Sequence, residues 1–174
     1  MTRYKKFDSY LWNDMRFSRL SNRAKLLFLY IVTHPQMTSI GAMKCSRAAL
    51  KEELRIVEQI DFDNSFFDLL QLGYIKYDRE HALLYVPCFT EMNIPETPAV
   101  IRSWTKLFEF LPVCKLLVEA FETAGYIIHE NDRRGYLKVF NQTIRPLIAK
   151  ATQEIERLQQ QHPPQKLTTV ANVL

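Results

Sequence analysis

Glycine is scarce in this sequence, and its scarcity limits the nucleotide sites that the chain can form. The four glycines are too widely spaced to give G-x-G-x-x-G or G-x-x-x-x-G-K-[ST]; they are Gly41, Gly73, Gly125 and Gly135. These patterns supply the backbone amides that hold phosphates in dinucleotide-binding enzymes and in P-loop ATPases. Nucleotide hydrolysis in the familiar manner is therefore excluded, and we expect a protein that is not an enzyme and needs no cofactor.

Cysteine and histidine are also few and scattered. The chain has no CxxC pair and no HExxH motif; its candidates are Cys45, Cys88, Cys114, His34, His81, His129 and His162. Three cysteines cannot all pair within one chain, so a reducing, cytoplasmic location fits best. We expect no metal site, and we expect the histidines to lie on the surface or in turns.

Long hydrophobic runs are absent. The longest uninterrupted apolar stretch, residues 26–32, is far shorter than the roughly 18 residues that a membrane helix needs. Near the start, Lys5 and Lys6 are followed by Phe7 and Asp8 instead of a signal-peptide core. We therefore expect neither a membrane partner nor secretion.

Charge is unevenly distributed along the chain. Residues 1–54 hold 10 basic and 4 acidic side chains, residues 55–96 hold 3 and 8, and residues 97–174 hold 10 and 7. A basic surface attracts a polyanion such as DNA and an acidic surface repels it. The amino-terminal block is the candidate for such contacts, although a solvated basic face is the ordinary alternative.

The element pattern of residues 20–92 predicts a small domain. Helices are predicted at 21–34, 47–54 and 58–72, with Ile60, Phe66, Phe67 and Leu70 on one face of the third and Gly73 ending it. An extended segment is predicted at 39–44, and a hairpin at 74–77 and 83–86. Helix, strand, two helices and a hairpin form the winged helix-turn-helix arrangement, so the fold class is mainly α with a small β-hairpin wing and a C-terminal helical extension.

Four segments divide the chain. Residues 1–19 form a basic amino-terminal arm, residues 20–92 the winged-helix domain, and residues 93–135 a linker with helical segments near 99–109 and 112–124. Residues 136–174 form a long helix, to about residue 161, and a flexible tail from residue 162. Trp12 and Trp104 stand at apolar positions beside helices and are expected to pack in the core.

Several segments resemble a known family. They are Trp12-Asn13-Asp14, Leu20-Ser21, the run Ala24 to Tyr30, Ile40-Gly41 and the run Leu72 to Asp78. Across residues 4–95 the sequence is similar to the N-terminal winged helix of phage replisome-organiser, or DnaD-like, replication proteins. The resemblance implies DNA binding and recruitment of the replication machinery, with a replisome protein as a second partner.

The third predicted helix departs from a DNA-reading helix because its polar positions include Glu58, Asp61, Asp63 and Asp68. Carboxylates repel phosphates, so only Gln59 and Asn64 are suited to contact base edges there. We expect DNA contacts to come instead from the basic arm, the second helix and the wing. These candidates are Arg3, Lys5, Lys6, Arg16, Arg19, Arg23, Lys44, Arg47, Lys51, Lys76 and Arg79.

The predicted long helix carries an apolar stripe near heptad spacing. Its members are Leu137, Phe140, Ile144, Leu147, Ala151, Ile155 and Leu158, with Pro146 as a source of a kink. The stripe predicts a homo-oligomer, or else packing on the chain's own core.

Three functional hypotheses follow from the sequence. The first is a phage or prophage DNA-replication accessory protein that binds DNA. The second is a winged-helix interaction or oligomerisation module whose acidic helix binds a basic partner without touching DNA. The third, a small transcriptional regulator, is disfavoured because base-reading side chains are few.

Overall fold

A computed structural model describes residues 5–55, 59–131 and 135–161 of the chain. It is mainly helical, at 65% helix, with one small three-stranded antiparallel sheet. The helices are α1 Met15–Ser18, α2 Asn22–Thr33, α3 Arg47–Glu53, α4 Gln59–Gln71, α5 Phe89–Met92, α6 Pro98–Ser103, α7 Leu107–Phe110, α8 Lys115–Glu130, α9 Tyr136–Thr143 and α10 Arg145–Gln161. The strands are β1 Ala42–Lys44, β2 Lys76–Asp78 and β3 Leu83–Tyr85, and 3-10 turns span Ser9–Asn13 and Trp104–Lys106.

Side-chain caps fix where the amino-terminal helices begin. Asp14 accepts from the Arg16 amide at 2.7 Å, Ser21 from Ala24 at 3.1 Å, and Ser46 from Ala49 at 3.1 Å. Each cap satisfies a backbone donor that the first helical turn leaves without a partner. The first two helices predicted from the sequence, starting at residues 21 and 47, are α2 and α3, and their starts are confirmed to within one residue.

The face that α4 buries differs from the predicted one. Phe62, Phe66 and Leu69 enter the core, whereas Ile60 and Phe67 are 68% and 58% exposed. The prediction is confirmed for Phe66 and wrong for Ile60 and Phe67, because the buried face is centred on Phe62, Phe66 and Leu69. The end of α4 is as predicted: Gly73 has a φ of 74°, in the left-handed region that glycine adopts at no steric cost.

The three strands lie in the order β1-β3-β2, with β3 at the centre. Lys44 and Asp78 both pair with Leu83, one from each side, and therefore share a face of the sheet with it. Alternate residues of β3 face opposite ways, and Leu83, Leu84 and Tyr85 are all buried. The central strand is thus covered on both faces.

Two hydrophobic clusters meet at this sheet. The amino-terminal cluster joins α2, α3 and α4 to one face and includes Phe28, Phe66 and Leu84. The carboxy-terminal cluster joins α6, α8, α9 and α10 to the other face and includes Tyr85 and Trp104. The segment after residue 93 is therefore packed against the sheet, and the predicted linker region contributes core residues.

The predicted single helix at 136–161 is in fact two helices. α9 ends at Thr143, Ile144 has a φ of −100°, and α10 starts at Arg145 with Pro146 in its second position. Proline has no amide hydrogen, so it is tolerated in a first turn but interrupts a continuing helix. The break lets both helices lie against α8.

The two tryptophans have different environments. Trp104 is fully buried and its indole Nε1 donates to the Ser39 hydroxyl at 2.7 Å, which confirms the predicted core position. Trp12 is 53% exposed and contacts the edge of Phe17, so the prediction of a core position for Trp12 was wrong. All three cysteines are free thiols. Among the described residues, no helix has the length and apolar character that crossing a membrane requires.

Candidate nucleic-acid interface

The predicted basic arm is held against the protein over its described residues. The ammonium group of Lys5 donates to the Met37 carbonyl and lies 5.2 Å from the centre of the Phe89 ring. Lys6 pairs with Glu96 at 2.6 Å, and its amide donates to the Asn93 side chain at 2.8 Å. Lys5 therefore holds this stretch against α5 and the turn after α2, and Lys6 holds it against the segment after α5. Arg3 lies outside the described residues.

Arg16 belongs to a small network around Asp14. The Asp14 carboxylate accepts from the Arg16 amide, from the Arg16 guanidinium at 3.2 Å, and from the Tyr74 hydroxyl at 2.9 Å. The guanidinium also lies over the Tyr74 ring, 5.8 Å from its centre. The hydrogen bonds from Arg16, followed by the one from Tyr74, lower the pKa of Asp14 to about 2. This network holds the start of α1 against Tyr74, in the segment that precedes β2.

The acidic residues of α4 form ion pairs with two of the predicted DNA-binding arginines. Arg23 on α2 pairs with Asp61, and Arg47 on α3 pairs with Asp63. The Arg47 guanidinium also lies 5.0 Å from the centre of the Phe66 ring, where the aromatic face attracts a cation. Both charges are therefore offset locally, which reduces their attraction for phosphate and equally reduces the repulsion by α4.

The other predicted contacts, on α3, α4 and β2, differ in how far they are exposed and in whether they form ion pairs. Lys76 on β2 pairs with Glu119 on α8. Lys51 is half-buried in the last turn of α3, while Asn64 is exposed on α4. Gln59 begins α4, but its side chain is outside the described part of the structure.

Three predicted cations keep an unpaired charge. Arg19, Lys44 and Arg79 are exposed, and their side chains make no hydrogen bond or ion pair with other residues of the described ranges. Arg19 follows α1, whereas Lys44 ends β1 and Arg79 follows β2. The last two lie at the same end of the sheet because Lys44 and Asp78 pair with the same residue of β3.

The fold adds a third cation at this end of the sheet. Cys114 precedes α8, and its sulfur lies within 4.8 Å of a ligand atom of Asp78. Lys115, the next residue, is exposed and has no ion pair within the described chain. We call Lys44, Arg79 and Lys115 the tip cluster. Lys115 was not among the predicted contacts, since no local pattern shows that α8 begins beside the β2–β3 turn.

The surroundings of the tip cluster favour an anion. Asp78 and Glu80 flank Arg79 in the sequence. Glu80 is exposed and forms no ion pair within the described chain, whereas Asp78 is engaged by His81, whose amide donates at 3.0 Å and whose ring nitrogen lies 2.9 Å away. The amino terminus of α8, a helix of 16 residues, adds the positive end of its dipole at Lys115. The cluster can therefore neutralise phosphates, but it offers no asparagine or glutamine to contact adenine and no carboxylate to contact cytosine.

The predicted oligomerisation stripe is largely used inside the chain. Phe140, Ile144 and Ala151 are buried, with 0%, 0% and 5% exposure, and pack against α8 and its neighbours. Leu137, Leu147 and Ile155 are half-buried, and only Leu158 is exposed, at 45%. The buried members cannot also contact a second copy, so for them the association prediction is corrected to intramolecular packing. The predicted tail, residues 162–174, lies outside the described residues.

Comparison with protein-family models, with curated proteins and with solved structures found no match to this chain.

Proposed function

We propose that this chain is a non-enzymatic DNA-binding accessory protein of phage or prophage DNA replication. In this proposal it belongs with the winged-helix replication proteins that residues 4–95 resemble. It binds DNA phosphates through the tip cluster and recruits a replication protein through other surfaces.

The arrangement of elements supports a winged helix. The order α2, β1, α3, α4, β2, β3 and the antiparallel sheet agree with that fold, in which α3 and α4 form the helix-turn-helix pair and the β2–β3 turn is the wing. A fold of this kind hosts both DNA-binding and protein-binding members, so the choice between them depends on the charged surface.

The observation that carries the DNA-binding proposal is the tip cluster. Lys44, Arg79 and Lys115 come from β1, the β2–β3 turn and α8, yet they meet at one end of the sheet with no carboxylate partner among the described residues. Counterion release makes unpaired cations the main source of affinity for DNA. By contrast, Lys6, Arg16, Arg23, Arg47 and Lys76 would each have to leave an ion pair first.

The proposed contact positions the protein on DNA without reading its sequence. Lysine and arginine bind phosphate oxygens in any sequence, and specificity requires donors and acceptors aimed at base edges. Of the side chains described on α4, Asn64 is the polar group suited to that task. Weakly sequence-dependent binding is therefore expected, which suits an accessory protein better than a transcriptional regulator.

The test is fluorescence anisotropy of labelled duplex and single-stranded DNA over a salt series. The variant Arg79→Glu/Lys115→Glu should weaken binding to all sequences and make the slope of log affinity against log salt shallower by about two, one for each lost phosphate contact. Single-strand preference would show as tighter binding to the unpaired oligonucleotide.

The matched control is Arg102→Glu/Lys138→Glu, which changes the net charge equally. Both residues are exposed cations without an ion pair in the described ranges, and they lie on α6 and α9, which pack on each other. Equal weakening by the two variants would reduce the effect to net charge and refute the tip cluster. Loss of binding only in Lys5→Glu/Lys6→Glu/Arg16→Glu would return the interface to the amino-terminal segment.

The exposed face of α4 favours a second function. Ile60, Asn64 and Phe67 follow one another at helical spacing, and the two apolar side chains are more than half exposed. Large exposed apolar side chains on a single helix face are typical of protein interfaces. If the wild-type chain fails to bind either form of DNA at low salt, a protein-binding module that uses this face of α4 becomes the better proposal.

A further inference from the structure

Three side chains able to bind a metal ion converge where the β2–β3 turn meets α8. Asp78 ends β2, His81 lies in the turn, and Cys114 precedes the first residue of α8. One ligand atom from each residue lies within 4.8 Å of the other two. The sequence predicts an ordinary surface or turn histidine at His81, because Cys114 is remote from it along the chain.

Asp78 and His81 already contact each other at two points. The His81 ring nitrogen Nδ1 lies 2.9 Å from Asp78 Oδ2, and the His81 amide donates to Oδ1 at 3.0 Å. The Cys114 sulfur lies within 4.8 Å of a ligand atom of each. The three side chains therefore border one small volume, of the size that a cation would take.

The donor set selects the class of metal. Nitrogen, oxygen and sulfur donors together suit Zn²⁺ and similar divalent transition metals, whereas Ca²⁺ and Mg²⁺ require oxygen ligands. Bonds of about 2.0–2.3 Å in a tetrahedron place ligand atoms roughly 3.5 Å apart. The separations here, from 2.9 Å to within 4.8 Å, need side-chain adjustments of about 1 Å at most.

The surroundings match those of a partly open metal site. Cys114 is 3% exposed and immediately precedes α8, whose amino-terminal dipole favours a thiolate ligand. The side chains of Asp78 and His81 are 22% and 36% exposed, so the side away from Cys114 is open to solvent. A water molecule can therefore supply a fourth ligand.

A catalytic cysteine–histidine pair explains the same residues less well. A cysteine nucleophile needs a base within hydrogen-bond reach, but the observed hydrogen-bond partner of the His81 ring is the Asp78 carboxylate. Burial also raises the pKa of the Cys114 thiol, which keeps it protonated and inert in the absence of a metal.

We propose that Asp78, His81 and Cys114 bind one Zn²⁺ ion, with solvent as the fourth ligand. On binding, the Cys114 S–H bond breaks, the sulfur–zinc bond forms and the proton passes to solvent, with no change in oxidation state. The ion ties the β2–β3 turn to the start of α8, so it links the two hydrophobic clusters through a single site.

The test is metal titration of the chelator-treated, reduced protein. Zn²⁺ followed by calorimetry should show one ion per chain, and Co²⁺ followed by absorption should show a thiolate-to-cobalt charge-transfer band. His81→Asn and Cys114→Ser should each weaken Zn²⁺ binding by at least about 10–100-fold, the usual cost of disturbing even an outer-shell partner. Cys114→Ser should also abolish the charge-transfer band.

Matched controls are Cys88→Ser and His129→Asn, which remove a thiol and an imidazole away from the cluster and should leave binding unchanged. Far-ultraviolet circular dichroism identifies any variant that fails to fold, and His81→Asn, at a partly exposed position, keeps the proposal testable if Cys114→Ser is unstable. Co²⁺ binding without the charge-transfer band would overturn the proposal. So would Zn²⁺ binding that survives both ligand substitutions but is lost in His162→Asn.

Discussion

Gly125 lies in the middle of α8 at the closest contact between α8 and α9. A Cβ atom placed there would lie 2.6 Å from Cε1 and 2.7 Å from Cζ of Phe140. The Phe140 ring is fully buried and meets the edge of Trp104, so it has little room to move. The missing side chain of Gly125 therefore sets the distance between the two helices.

Gly125→Ala should destabilise the protein even though alanine is the better helix former. The propensity gain is about 1 kcal/mol, and the overpacking cost is about 1–3 kcal/mol, so the net loss reaches about 2 kcal/mol in the free energy of unfolding. Urea denaturation measures the change. In a Phe140→Leu background the same alanine should cost less, because the ring edge is gone; an equal cost in both backgrounds would show that the clash is not the cause.

Ion pairs change the charge that α4 presents to a ligand. Asp61 and Asp63 on α4 look like a barrier to DNA when the helix is considered alone. In the structure each lies beside an arginine from another helix, Arg23 or Arg47. Exposed ion pairs of this kind add little stability, but they decide which cations remain available to a ligand.

At the scale of elements, α9 and α10 are the parts whose role the structure changes most. Their apolar stripe faces α8, and the break at Ile144 allows both helices to follow the surface of the carboxy-terminal cluster. Packing on the chain's own core uses the residues that an oligomer interface would need. Self-association through this segment is left to Ile155 and Leu158 near the end of α10.

Phe140→Ala and Leu158→Ala should differ sharply in their effect on stability. Phe140 is fully buried, so its truncation should lower the free energy of unfolding by about 3–5 kcal/mol. Leu158 is 45% exposed, so its truncation should change that value by no more than about 0.5 kcal/mol. Chemical denaturation followed by tryptophan fluorescence gives both values.

Light scattering of Leu158→Glu completes this comparison. If the exposed end of α10 holds two copies together, the charge should lower the mass of the particle. A stable protein whose mass is unchanged by Leu158→Glu would remove α10 from any oligomer interface, and a stable Phe140→Ala variant would refute the intramolecular role of the stripe.

At the scale of the whole molecule, β3 joins the two hydrophobic clusters. Leu84 belongs to the amino-terminal cluster, while Leu83 and Tyr85 belong to the carboxy-terminal one. Neither cluster is complete without the sheet, so we expect the described chain to unfold as one cooperative unit. This sharing also brings α8 beside the β2–β3 turn and thereby creates both the tip cluster and the proposed metal site.

Alkaline pH should destabilise the fold. A hydrogen bond to Glu53, together with burial, raises the pKa of Tyr30 to about 12, and burial with a hydrogen bond to Asp14 raises the pKa of Tyr74 to about 12. Burial also raises the pKa values of Cys45 and Cys88 to about 11. The unfolded chain releases these protons near its ordinary pKa values, 9.0 for cysteine and 10.0 for tyrosine, before the folded chain does.

The contribution of these groups to the free energy of unfolding should therefore be constant between neutral pH and about pH 9 and fall as the pH rises toward 12, because the folded state holds more protons there. Urea denaturation under reducing conditions over this range measures the slope. Tyr30→Phe should make the fall smaller, since one of the linked protons is removed. A stability that rises with pH in this range would contradict the assignment.

The sequence by itself determined most of the helices and strands. Capping residues such as Ser21 and Ser46, the turn at Gly73 and the alternation of the hairpin are local signals, and local backbone preferences follow from neighbouring residues. The buried face of a helix is harder to predict from the sequence. On α4 the apolar residues surround the helix, so the pattern alone does not show that Phe62 and Leu69 are buried while Ile60 and Phe67 are exposed.

The tertiary structure determines which charged side chains form ion pairs and which distant residues come into contact. Whether Arg23 is available for phosphate depends on Asp61, 38 residues away, and Lys76 is paired with Glu119, 43 residues away. Lys115 and Cys114 reach the β2–β3 turn because α8 packs on the sheet, and no spacing in the sequence encodes that contact. Coulomb interactions and metal coordination act over a few ångströms of space, so they depend on how the elements pack and not on the order of residues along the chain.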